Sequence, residues 1–166
     1  MTLSDGELNA LAKNGIIEWG EAVIRQAGEI TAAFNQKMAG SQLGIIRLHI
    51  AEHFFAIAAH RLFQFVDFAR ERGFIGSEDF MEMEGFRRDA KEIRDMREHV
   101  IEYWQGGGRL QDRFTYIDPD AMEAWGRELA TLASQSTFVG GVYKLGGRLD
   151  VHALARVVSK ALTMFQ

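Results

Sequence analysis

Two groups of residues have the types and spacing to do chemistry. The first is Arg94-Asp95-Met96-Arg97-Glu98-His99. On a helix at about 100° per residue, Asp95, His99 and Tyr103 fall on one line at i, i+4 and i+8. A carboxylate one turn before an imidazole holds one ring nitrogen and leaves the other free as a base. Arg94 lies about 140° round the helix from His99, so a single helix does not converge the two. A second copy packed about a two-fold axis brings the Arg of one chain to the His of the other. Arg97 falls within about 40° of the apolar stripe of its helix. If buried it needs an acidic partner, and Glu52 and Asp67 are the candidates. The plainer alternative for the hexad is an Arg94–Glu98 ion pair beside a surface histidine.

The second group is His49, His53, His60 and Asp67, which lie within about 40° of one another on a helix. His49 and His53, one turn apart, have a spacing that chelates zinc, iron or nickel. Such a site needs further ligands from another helix, such as Glu29 or Glu98. No Glu-x-x-His pair of the di-iron kind accompanies them. The commoner alternative is a polar edge on a buried helix, with each His satisfied by a neighbour or lining the same cleft as His99.

Helices must position both groups. A single Pro in 166 residues leaves long segments free to be helical. Ser4 with Glu7 reads as a capping box. From there Ile16, Trp19, Val23, Ile30 and Phe34 recur at helical spacing as far as Gly40-Ser41. A second helix is expected over about 42–72, apolar on two faces. Leu43, Ile46, Ile50 and Phe54 are on one face; Leu48, Phe55, Ala59, Leu62 and Val66 are on the other. Such a helix is either the middle of a bundle or carries an oligomer interface. A third is expected from Ser77 to about Gln105. After Gly106-Gly107-Gly108, most simply a hinge, the pattern changes. Residues 113–117 look extended, and Asp118-Pro119-Asp120 reads as a turn. Residues 121–134 are ambiguous between helix and strand. Thr137–Leu145 is β-like, and Asp150 caps a last helix with Val151, Leu154, Val158, Leu162 and Phe165 inside. The expected fold is mainly α: a bundle of long antiparallel helices over 1–105, with a small C-terminal β element and a final helix over 106–166 in the same domain.

Composition narrows the chemistry. With 0 Cys there is no disulfide scaffold, thiolate zinc site or cysteine nucleophile. The net charge of −4 gives no bulk attraction to nucleic acid or anionic lipid, and only a local basic patch could serve. No apolar run reaches about 18 residues, so no membrane partner is expected. With no signal-peptide pattern at the N-terminus, the expected location is cytoplasmic.

The first group resembles a known signature. Arg94, a polar residue directly after it (Asp95), and His99 after four intervening residues match the Arg-x4-6-His pattern of HEPN domains, late in a helical bundle. The resemblance covers about residues 4–105. It implies a homodimer in which Arg and His of two protomers share one cleft. It also implies a metal-independent endoribonuclease of a bacterial toxin, stress or defence system, with RNA as substrate, no cofactor, and an antitoxin or regulatory protein as partner. Carried over, Arg94 and His99 are the catalytic pair and Asp95 supports them. Strand scission then uses the neighbouring 2′-OH, with His99 as acid or base and Arg94 facing the phosphate. Arg97 and Tyr103 are the neighbouring candidates for substrate binding. Two other functions are compatible with the sequence: a non-catalytic helical dimer binding a nucleotide or a partner protein, and a metal-binding bundle using His49 and His53.

Overall fold

A computed structural model describes residues 2–165, with the side chains at 125, 164 and 165 outside the description. The first helix, α1 (Asp5–Met38), starts where the capping box places it. The Glu7 carboxylate accepts the Ser4 N–H at 2.7 Å, and the Ser4 hydroxyl accepts the Glu7 N–H at 3.3 Å. Gly40, at φ 85°, turns the chain into α2 (Gln42–Glu71), which is capped by Ser41. These two long helices pack antiparallel along their lengths. At one end they touch almost backbone to backbone: a Cβ on Gly44 would lie 2.6 Å from the Lys37 nitrogen.

The third helical segment is shorter than its periodicity predicts. Residues 77–83 do not join it. Gly76 N–H donates to the Asp79 carboxylate at 2.6 Å, Phe80 adopts a left-handed φ of 64°, and Met81–Met83 form a 3-10 turn. Helix α3 (Glu84–Glu98) then runs until His99, where φ −109° and ψ 28° leave the helical region. A five-residue helix, α4 (Val100–Trp104), follows.

The tail folds as two small antiparallel sheets and two helices. Strand β1 (Thr115–Asp118) pairs with β2 (Leu129–Leu132). Between them lies α5 (Pro119–Trp125). The Asp-Pro-Asp segment expected as a turn is thus a helix start: Asp118 accepts the Asp120 N–H at 3.0 Å, and Pro119 takes the first helical position, where it needs no N–H. Strands β3 (Ser136–Val139), β4 (Val142–Leu145) and β5 (Leu149–Asp150) form the second sheet in that order. Asp150 accepts the Ala153 N–H at 2.8 Å and so caps α6 (Val151–Phe165). The expected inner face of α6 is buried at Val151, Leu154, Val158 and Leu162, and Phe165 lies outside the described side chains.

The tail packs on the bundle and completes its core. Helix α6 lies against α1, and β5 against α3. Ile16, Ile30, Phe55, Leu62, Ile93, Leu145, Leu149 and Leu154 belong to one buried cluster. Each side chain of this size contributes about 1.5–3 kcal/mol through burial. No described helix is long and apolar enough to cross a membrane.

Candidate functional site

A groove of about 850 Å3 lies between the bundle and the tail. Helix α2 contributes His49, Glu52 and His53. The end of α3 and α4 contribute Arg97 and Trp104, and β2 and β3 form the opposite wall. Lys37, from the end of α1, also lines the groove. Its floor is a buried network. Glu52, 1% exposed, receives Arg97 through both terminal nitrogens at 3.3 and 3.2 Å. Its other oxygen accepts the Ser136 hydroxyl and the Tyr143 hydroxyl, each at 2.5 Å. Arg97 also donates to the carbonyls of Ala133 and Gln135, at 3.2 Å each. A buried charge is stable only when paired and hydrogen-bonded, and here both partners are. Burial raises the Tyr143 phenol well above its ordinary value, and the adjacent Glu52 carboxylate adds to this, so Tyr143 stays a donor. The network clamps β3 and β4 to α2 and α3 and thereby builds the groove wall.

A second arrangement lies along the α2–α3 edge. Arg94 meets Glu98 at 2.6 Å and Asp95 at 3.0 Å. Half-buried His60, from α2, is their neighbour across the helix pair. Its imidazole is held below the ordinary value first by burial, then by the Arg94 cation. Arg61 and Lys91 act in the same direction, and Asp95 opposes them. Beside this edge, Leu43, Ile46, Ile50 and Phe54 form a stripe on α2, each more than half exposed. At about 100° per residue, His49, His53 and His60 run along one flank of that stripe, roughly 80° from its centre. A shallow hollow of about 320 Å3 against Arg25, Glu29 and Arg47 sits at its middle.

Against protein-family models, curated proteins and solved structures, the chain shows no significant match.

The positions singled out in the sequence separate into three groups. Arg94 and Asp95 are adjacent and paired. His99 stands apart from them: it is at the helix break, its side chain is 56% exposed, and its Nδ1 faces Glu102 at 3.3 Å. The expected line from Asp95 through His99 to Tyr103 is interrupted because α3 ends at Glu98. Arg97 lines the groove with its side chain only 7% exposed, and Tyr103 is buried away from it. Arg97 has the Glu52 partner that its burial requires. Tyr103 is buried and stacked on Phe114 at 5.0 Å, and its hydroxyl accepts the Leu110 N–H at 3.3 Å. Asp67, the other acid offered to Arg97, pairs instead with Arg87 at 2.6 Å. His49 and His53 both line the groove, and among the described residues no three His, Asp or Glu side chains converge as a metal site. Ser136 and Tyr143 escaped the sequence reading. They lie 84 and 91 residues from Glu52, and no local pattern connects them.

Proposed function

We propose that the protein is a HEPN-like, metal-independent endoribonuclease of a bacterial stress or defence system, acting as a homodimer. The observation that supports this is the row of His49, His53, His60 and Arg94 beside an exposed apolar stripe on α2. Four large apolar side chains in one stripe favour burial against a partner. A two-fold contact is self-complementary, so pairing through this stripe brings two such rows to one seam. In this reading His99 of one copy serves the Arg94 site of the other, since one helix does not converge the two. Arg94 holds the scissile phosphate, displacing Glu98 from a partly exposed ion pair of small net worth, about 0.3–0.5 kcal/mol. His99 transfers a proton, and the groove beside Trp104 provides a path for the strand.

The test uses purified full-length protein and mixed RNA, with light scattering for mass. Wild type is expected to be dimeric and to leave 2′,3′-cyclic phosphate ends in the presence of a chelator. Arg94→Ala and His99→Ala are expected to be dimeric and inactive, and Ile50→Glu with Phe54→Glu monomeric. Activity retained by His99→Ala refutes the proposal. The groove itself supports a second reading, a non-catalytic dimer that binds a nucleotide or partner protein there. Nucleotide binding by wild type without any RNA cleavage would establish that alternative.

A further inference from the structure

The imidazole that keeps company with Arg94 inside one protomer is His60. Two ion pairs fix how α2 and α3 lie: Glu52 with Arg97, and Asp67 with Arg87. The helices run antiparallel, so the middle of one span faces the middle of the other. His60 is midway between positions 52 and 67. Lys91 and Arg94 flank the midpoint between 87 and 97. The charged neighbours of His60 agree with that register: Arg94, Asp95 and Lys91 from α3, and Arg61 from its own helix. His60 remains partly open at this edge. The other four histidines have different surroundings. His49 and His53 line the groove, His99 faces Glu102, and His152 approaches Thr31 at 3.4 Å.

We propose that His60 is the general base of the Arg94 site, taking the proton of a ribose 2′-OH while Arg94 holds the adjacent phosphate. The proposal rests on the ribonuclease reading above. In the step, the 2′-oxygen forms a bond to phosphorus and its proton passes to His60. The bond from phosphorus to the 5′-oxygen breaks, and the leaving oxygen takes a proton from a protonated His99 of the second copy. The products are a 2′,3′-cyclic phosphate and a 5′-hydroxyl, and both imidazoles return to their starting states by exchange with water. Division of labour follows from environment. Burial and three cations shift the His60 imidazole toward its uncharged form, the form a base needs. His99 is solvent-exposed with its Nδ1 facing Glu102 at 3.3 Å, and so stays open to the leaving oxygen of a strand.

The experiment compares wild type, His60→Gln, His60→Ala, His99→Ala and Arg94→Ala on an end-labelled oligoribonucleotide, with a thermal melt of each. His60→Gln is expected to melt like wild type and lose roughly a hundred- to ten-thousand-fold in kcat/KM. The acid limb of its pH–rate profile should vanish, and imidazole in the buffer should restore part of the rate of His60→Ala. Proton NMR gives a readout without turnover: the His60 ring should titrate below its ordinary value and move upward in Arg94→Ala, because one of the opposing cations is gone. A His60→Gln rate within threefold of wild type, with an unchanged profile, overturns the role of His60 and leaves the ribonuclease reading intact. Absence of cleavage by wild type overturns both. An imidazole titration indifferent to Arg94 overturns the juxtaposition itself.

Discussion

Replacing Glu52 by Gln tests the clamp under the groove. The side chain keeps its shape and loses its charge. The Arg97 side chain, 7% exposed, is then buried without a counter-ion. Four hydrogen bonds converge on the carboxylate, two from Arg97 and one each from Ser136 and Tyr143. The two hydroxyls can turn and accept from the new amide, so the count of bonds survives and the loss is mainly that of the charge. Removing one partner of a buried pair costs about 3–5 kcal/mol. For a chain of this size each kcal/mol shifts Tm by roughly 2–4 °C, so the expected loss is about 6–20 °C. Arg97→Met leaves the opposite charge stranded and should cost a similar amount. The double variant strands neither charge and should be more stable than either single variant, with a coupling above about 2 kcal/mol. The assay is urea unfolding followed by far-UV circular dichroism on all four proteins. Single variants within about 1 kcal/mol of wild type, or strictly additive losses, would show that the network does not hold the tail.

Other outcomes follow from the same structure. Gly44→Ala should cost about 1–3 kcal/mol, because its Cβ meets the backbone of residues 36 and 37, which cannot yield. Gly28→Ala should instead add about 0.5–1 kcal/mol, since that position is exposed inside α1 with nothing near its Cβ. The two melts taken together check the helix contact, and equal shifts would refute it. Glu84, held at about 2 by its hydrogen bond to Arg87 and a further one to Arg70, gives an acid-side signature. The unfolded chain takes up this proton near 4.5 and the folded chain does so only near 2. The stabilisation is therefore present above that window and lost as pH falls through it. Glu84→Gln should flatten the acid limb of stability against pH, and superimposable limbs would disprove the pairing.

Local signals in the sequence were enough for α1 and α2. A capping box, a serine cap and sustained periodicity lie within the elements they define, and tertiary contacts had nothing to overrule. Periodicity failed to see the start of α3. The stretch from Ser77 contains no breaker, yet the Gly76–Asp79 bond and the left-handed Phe80 redirect it. Asp118-Pro119 misled for a different reason, since the same residues begin a tight turn or cap a helix. The two-faced character of α2 was visible from its residues, and what the structure adds is which face stays open. For the site, helical geometry put Arg97 near the apolar stripe and supplied the short list of acids it would need if buried. The choice of Glu52 over Asp67, and the arrival of Ser136 and Tyr143, depend on the tail folding back, and spacing along the chain carries no such information.

The clamp has a consequence for the order in which the molecule is made. Its four side chains span positions 52 to 143, so the groove has no wall until the strand bearing Tyr143 has left the ribosome and docked. The contacts involved join positions up to 91 residues apart, and closing such long loops comes late in folding. A nascent chain that has completed all three long helical segments still lacks this surface. Whatever binds there meets only finished molecules, and synthesis itself sets the moment at which the groove becomes available.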